Sequence, residues 1–177
     1  MAFVVFKFVS FYLDLRNGLI GKVNFVHLYN YITFFPAYLS GPLYRYQKFS
    51  DELESSARPD DQELFDNLFR FVFGAFKKLV IADFLYTFCM ENFSLESAMQ
   101  FSMAQKIFAM YLYALVLYLD FSGYSDMAIS VGKMVGVTIT ENFNRPYLAQ
   151  NIQDFWTRWH ISFMNWLRDY VYYPFQM

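Results

Sequence analysis

The sequence predicts an all-α fold of a membrane protein, in which turns interrupt the helices. Three observations support this prediction. Hydrophobic residues make up 56% of the 177 residues and aromatic residues 23%, whereas only 17% are charged. A soluble domain usually carries about 25% charged residues, so this apolar excess is more than one soluble core can bury. The apolar residues recur at helical spacing, and proline and glycine break several of the apolar stretches. We expect residues 1–177 to form a single polytopic domain with broken or re-entrant helices.

The composition also argues against several classes of function. A formal net charge of −2 provides no basic footprint, so no nucleic-acid partner is expected. Cys89 is the only cysteine, which excludes an intrachain disulfide and a cysteine zinc cluster. The motif Gly-x-Ser-x-Gly is absent, so nothing supports a soluble serine hydrolase.

The N-terminal third predicts two helices and then a broken segment. Residues 1–17 form an apolar helix that ends at Gly18. The apolar stretch 23–39 is helical at least as far as Phe35, after which two prolines and a glycine follow within a few residues. We therefore expect 36–46 to be irregular backbone buried among helices, because such backbone survives at membrane depth only inside protein or against water.

The middle of the chain predicts one polar loop and a hydrophobic helix. Residues 50–63 are strongly polar and are expected to form a solvent loop or an interfacial segment, with a helix start at Pro59-Asp60-Asp61. An apolar helix over 65–88 follows. Its Lys77-Lys78 pair suits a cytoplasmic membrane edge, although such a pair is more often a solvated surface.

The next hydrophobic helix, 101–119, leads to two carboxylates, Asp120 and Asp126. Ionisable groups in an apolar segment are costly and are therefore functional hypotheses. The alternative is that they lie at the interface, solvated or paired with arginine. We expect both carboxylates to be held by hydrogen bonds or by an arginine, with Arg145 and Arg158 as the partners. The pair is not expected to bind a metal, because no histidine or third carboxylate lies nearby.

Residues 142–175, which we call the signature segment, contain all three tryptophans. Pro146 predicts a turn, and Asn151 with Asp154 predicts the start of a long helix with an aromatic stripe. His160 lies one position off that stripe. Read by themselves, aromatic residues at this spacing are usually core, and a histidine among them is a hydrogen-bonded packing residue.

Four blocks of the sequence nevertheless resemble one family in its order. They are FFP…SGP…R ending at Arg45, GAFKKLVIAD, DFSGYSDMAI, and PYLAQNIQDFWTRWHIS…WLRDYVYYP. The chain resembles the membrane-bound O-acyltransferases, and most of all their bacterial branch of alginate O-acetylation and teichoic-acid D-alanylation proteins.

The resemblance implies a multi-pass enzyme of the bacterial cytoplasmic membrane. Such an enzyme moves an acetyl or D-alanyl group from a cytoplasmic thioester to a hydroxyl of a cell-envelope polymer. The donor would be acetyl-CoA or an acyl-carrier-protein thioester, used as a substrate, with no bound cofactor. The expected partners are the lipid bilayer, that donor and a periplasmic or extracellular protein on the acceptor side.

The resemblance also implies site residues. His160 matches one of the family's two characteristic histidines and is the catalytic candidate, expected to face a polar tunnel lined by tryptophans and the SGP segment. The substrate-binding candidates are Ser40, Gly41, Pro42, Arg45, Asp120, Asp126, Asn144, Trp156, Arg158 and Trp159. No metal ligands are expected.

Two further expectations remain open at this point. The family's second histidine lies downstream of RDYVYYP, and its first transmembrane helices lie upstream of the region that residue 1 matches. We therefore expect the chain to be a central fragment without turnover of its own. The alternative is a non-enzymatic membrane transporter, channel or assembly subunit, because broken helices and intramembrane carboxylates also suit a transport pathway.

Overall fold

A computed structural model of the chain describes residues 2–38, 41–55, 59–93 and 100–176. Within these ranges every regular element is a helix, apart from one isolated antiparallel bridge between Phe143 and Trp159. The predicted all-α class is therefore confirmed.

The first two helices and the break after them follow the sequence closely. Helix α1 spans Ala2–Arg16, and Gly18 with φ +72° supplies the left-handed turn that ends it. Helix α2 spans Phe25–Thr33. It ends before the predicted Phe35, because a short 3-10 helix, Phe35–Ala37, forms around the following proline.

The predicted irregular segment, 36–46, is confirmed for residues 41–45, whereas 36–37 belong to the 3-10 helix and Tyr46 begins the next helix. Residues 41–45 adopt no regular structure, and 41–44 are buried. We call residues 36–45 the proline-rich segment.

The described residues of the polar stretch, 50–55 and 59–63, are mostly helical, so the prediction of a loop is wrong for them. Helix α3 spans Tyr46–Ser55 and helix α4 spans Asp61–Phe76. Polar composition was misleading because α3 packs only one side on the core, with Ser50 buried and with Asp51 and Glu54 exposed. The predicted start of α4 is confirmed, since Asp60 caps it in a reciprocal capping box with Glu63.

A long antiparallel helical hairpin follows. Helix α4 continues into a π-helix, Lys77–Ala82, and then into α5, Asp83–Asn92. Helix α6, Met103–Met134, packs against all three segments. The two backbones touch where Gly74 meets Gly123, because a Cβ added to Gly123 would lie 2.7 Å from the Gly74 carbonyl oxygen.

The sequence placed the end of the hydrophobic helix near residue 119, which is wrong. Both carboxylates lie inside α6, which has 32 residues. No proline interrupts this stretch, and ion pairs hold the two acidic side chains, so nothing forces the helix to end there.

The predicted long helix of the signature segment is divided. A 3-10 turn, Pro146–Leu148, precedes α7, Ile152–Arg158, and α8, Ile161–Leu167. A π-helix, Arg168–Tyr172, and a 3-10 turn, Tyr173–Phe175, complete the described chain. The predicted cap is confirmed, because the Asn151 side chain accepts the backbone N–H of Asp154.

The core lies where α2, α3, the proline-rich segment and the end of α6 meet. It is unusually aromatic, and the Tyr31 ring contacts the rings of Tyr44, Tyr46 and Phe49. Among the described helices, α6 alone meets length and composition criteria for crossing a membrane. Many large apolar side chains of α4, α5 and α6 are exposed, including Phe65, Phe69, Phe84, Met110 and Tyr111.

Candidate active site

The signature segment breaks at Trp159 and His160. There the chain runs beside residues 142–144, with hydrogen bonds from the Asn144 N–H to the Arg158 carbonyl (3.0 Å) and from the Ile161 N–H to the Asn142 carbonyl (2.9 Å). His160 adopts a left-handed conformation, with φ 47° and ψ 49°. For a residue other than glycine this conformation is strained, and such residues concentrate at functional sites.

The His160 ring lies among phenylalanines. Its centroid is 4.6 Å from that of Phe121, 5.1 Å from that of Phe163 and 6.2 Å from that of Phe3. Its Nε2 atom is buried and has no hydrogen-bond partner among the residues the structure describes. Burial lowers the pKa of His160 to about 4, so the imidazole is neutral near pH 7.

The expected tunnel around His160, lined by tryptophans and the SGP segment, is not assembled in this form. Trp159 contacts the rings of Phe143 and Phe155, and Trp156 is partly exposed to solvent. The imidazole instead faces α6 through Phe121. The helix break explains the difference, because His160 no longer has the orientation relative to Trp156 and Trp159 that a continuous helix would give it.

The proline-rich segment nevertheless reaches the signature segment two residues after His160. The Leu43 N–H donates to the Ser162 hydroxyl at 2.9 Å, and that hydroxyl donates to Asn142 Oδ1 at 2.6 Å. The Asn142 amide donates in turn to Ser125 of α6 at 3.3 Å. All three linking side chains are buried. This chain of hydrogen bonds fixes the proline-rich segment, the signature segment and α6 relative to one another.

Gly41 is required by this packing. A Cβ added there would lie 2.2 Å from the Cα of Ala37, so only glycine lets the proline-rich segment turn back on itself.

A cleft of about 220 Å³ opens beside the contact between Leu43 and Ser162. It lies between α1, the proline-rich segment, α8 and the π-helix Arg168–Tyr172. Charged side chains from two of these elements meet there, because Arg45 Nη2 donates to Asp169 Oδ2 at 2.6 Å. The cleft is lined by Ser10, Leu43, Tyr44, Arg45, Lys48, Thr140, Ser162, Asn165, Trp166, Arg168, Asp169 and Tyr170.

Helix α1 contributes polar residues that the sequence analysis did not single out. Lys7, Ser10 and Asp14 are all buried on one side of an otherwise apolar helix. The Lys7 ammonium donates to the Tyr31 carbonyl at 3.1 Å and to the Tyr44 hydroxyl at 3.2 Å, and burial lowers its pKa to about 8. The signal was present in the sequence, since polar residues at i, i+3 and i+7 of an apolar helix share one face.

Asp120 and Asp126 are held by cations, as expected, but the partners differ. Lys78 pairs with Asp120, and Lys77 pairs with Asp126 at 2.6 Å. Arg70 also binds Asp126 at 2.7 Å. The lysine pair that suggested a membrane edge therefore joins α6 to the facing helix, because the π-helix turns both ammonium groups towards α6.

The remaining predicted residues are spread over the surface. Arg158 pairs with Asp154 at 2.7 Å within α7. Asn144 is exposed, whereas Asn142, two residues earlier, makes the buried contacts. Arg145 has φ 46° before the 3-10 turn. Ser40 lies outside the described residues.

The comparisons with known proteins agree on one family. The membrane-bound O-acyltransferase family matches residues 3–177. The probable alginate O-acetylase AlgI of Azotobacter vinelandii is 36% identical over 173 residues, covering 97% of this chain and 34% of that protein. The teichoic acid D-alanyltransferase of Bacillus subtilis is 33% identical over 178 residues, covering 99% and 45%.

A third relative is the peptidoglycan O-acetyltransferase of Helicobacter pylori, which is 37% identical over 146 residues, covering 81% of this chain and 27% of that protein. The chain thus spans less than half the length of these relatives.

Proposed function

We propose that this chain, which belongs to the membrane-bound O-acyltransferase family, is part of an enzyme that acylates a cell-envelope polymer. The enzyme transfers an acetyl or D-alanyl group from a thioester to a polymer hydroxyl. The names of the relatives support this proposal, because each is named for transfer of an acetyl or D-alanyl group to alginate, teichoic acid or peptidoglycan.

The enzyme lies in the bacterial cytoplasmic membrane as a multi-pass protein, with residues 1–177 as one domain. Helix α6 and the facing helical run each cross the bilayer. The segments of that run have 16, 6 and 10 residues, which together equal the 32 residues of α6. At 1.5 Å per residue each is about 48 Å long, and a bilayer core needs about 30 Å. The exposed apolar side chains of both helices support this placement.

The reaction joins the hydroxyl oxygen to the thioester carbonyl carbon. The carbon–sulfur bond breaks, and the sulfur leaves as a thiol that takes up the proton lost by the hydroxyl. His160 assists by one of two routes. It accepts the hydroxyl proton, or it orients the hydroxyl or the base that accepts the proton, through a hydrogen bond from a neutral ring. The buried, unpartnered Nε2 atom of a strained residue is the observation that carries this proposal.

The substrates bind around the proline-rich and signature segments. Arg45 lines the cleft, and Gly41 allows the proline-rich segment to form the wall of the cleft. Asp120 and Asp126 act indirectly, because they hold α6, whose Phe121 ring contacts His160. The donor is acetyl-CoA or a carrier-protein thioester, and a protein on the outer side presents the polymer. Assays with each donor distinguish these two cases.

The test uses His160→Ala and His160→Gln in the full-length gene product. Both variants are assayed for acyl transfer at equal membrane expression. We expect His160→Ala to lose activity by roughly 10²–10⁴, the range for a positioned acid–base group. A glutamine that keeps near-parental activity limits His160 to orientation, because glutamine transfers no proton at neutral pH.

Normal turnover by both variants refutes the functional role of His160. Tyr173→Phe changes an exposed ring near the end of the signature segment. It is the matched control and is expected to keep full activity.

A further inference from the structure

Helix α1 places a buried carboxylate behind the cleft. Asp14 is only 3% exposed, and the Tyr170 hydroxyl donates to its Oδ2 atom at 2.8 Å. Burial raises the pKa of Tyr170, and the Asp14 charge adds to that rise, so the phenol keeps its proton and remains a donor. A buried charge is costly unless it is well paired, and an apolar pair would fill the same space at less cost.

The ring of Tyr170 lies beside the guanidinium group of Arg45, whose Cζ atom is 5.5 Å from the ring centroid. Asp169, the residue before Tyr170, accepts a hydrogen bond from Arg45 and another from Arg168 Nε at 3.0 Å. Two guanidinium groups therefore share one carboxylate. Both side chains remain about half exposed, at 48% and 51%, so each keeps N–H donors for another acceptor.

The charged side chains that line the cleft are Arg45, Lys48, Arg168 and Asp169, three cations and one anion. Lys48 forms a long ion pair of 3.8 Å with Glu52 outside the cleft, and its side chain is 53% exposed. A guanidinium group with a fixed orientation and unused donors suits a phosphate group, which it binds through two parallel hydrogen bonds.

We propose that Arg45 binds a phosphate ester group of a substrate in this cleft, and that Asp14 is a positioning residue that orients Arg45 through Tyr170. The inference rests on the proposed function, because it names a chemical group on the substrates of that reaction. The phosphate belongs either to the pantetheine arm of the thioester donor or to a polyol phosphate acceptor.

The test is equilibrium binding to the purified full-length protein in detergent, without turnover. The probes are two matched pairs, 4′-phosphopantetheine with pantetheine and glycerol 3-phosphate with glycerol. We expect the phosphate in one pair to tighten binding by roughly 10- to 100-fold, as a charge-assisted hydrogen bond does, and Arg45→Ala to remove that gain. The pair that shows the gain identifies the source. No gain in either pair overturns the site.

A double-mutant cycle tests the positioning role. Tyr170→Phe and Asp14→Asn are each expected to weaken phosphate binding by about three- to tenfold in the parent. In an Arg45→Ala background they are expected to have no further effect. Equal losses in both backgrounds overturn the positioning role, because Tyr170 would then act independently of Arg45.

Two further variants complete the design. Tyr172→Phe lies in the same π-helix with an exposed ring, and it is expected to bind as the parent does. His160→Ala, which removes transfer under the proposed function, is expected to keep the phosphate gain. Loss of binding and loss of transfer are thus separate results, and neither is mistaken for the other.

Discussion

Ser162 provides the sharpest test of how the proline-rich segment is held. Its side chain is 4% exposed, accepts the Leu43 N–H and donates to Asn142 Oδ1. Ser162→Ala leaves the Leu43 N–H buried without that partner, which costs about 1–3 kcal/mol, and it removes a second hydrogen bond worth about 1 kcal/mol. Asn142 Oδ1 keeps the backbone N–H of Ser162 at 3.3 Å. The free energy of unfolding should therefore fall by roughly 2–4 kcal/mol.

The measurement is thermal unfolding of the purified protein in detergent, where this loss corresponds to a fall in Tm of about 5–15 °C for a chain of this size. Ser130→Ala is the matched control. Its hydroxyl is equally buried but donates to the Asp126 carbonyl one turn earlier in α6, which the helix already satisfies. The control should change the free energy by less than about 0.5 kcal/mol. Equal falls in Tm for the two variants would refute the reasoning.

Two other predictions concern charge. Lys78→Glu and Asp120→Lys should each destabilise the helical hairpin by about 1–3 kcal/mol, and the double variant should recover most of the loss, as measured by the fraction of protein that remains monodisperse on heating. The lowered pKa of His160 predicts that its contribution to stability is complete above pH 6.5 and is lost as the pH falls through about 4, because the unfolded chain then binds a proton that the folded state rejects. In Tm measurements across this range, His160→Gln should show a weaker pH dependence than the parent, and identical profiles would contradict it.

The helices and their caps were largely predictable from local chemistry. Asp60 with Glu63, and Asn151 before α7, have side chains that satisfy the free N–H groups of a helix start, and this signal depends only on neighbouring residues. The end of α2 was predictable from equally local chemistry, because the proline that follows interrupts a helix.

The contacts of the candidate site were not predictable in the same way. The break at His160 follows from pairing with residues 142–144, which no local propensity shows. The partners of Asp120 and Asp126 depend on the π-helix that turns Lys77 and Lys78. The stretch around it is apolar on nearly all sides, so hydrophobic periodicity does not show the shift that the π-helix causes.

The inward-facing polar residues of α1 have a consequence for biosynthesis. This helix is synthesised before the signature segment, yet its Phe6 carbonyl accepts from the Trp166 indole N–H, 160 positions away, and Asp14 accepts from a hydroxyl 156 positions away. Until the signature segment emerges, Asp14 lacks the Tyr170 hydroxyl, whereas the partners of Lys7, Tyr31 and Tyr44, follow within 37 positions. Formation of the contacts between α1 and the signature segment is therefore among the last folding events. Its rate is set by how soon the end of the signature segment reaches α1.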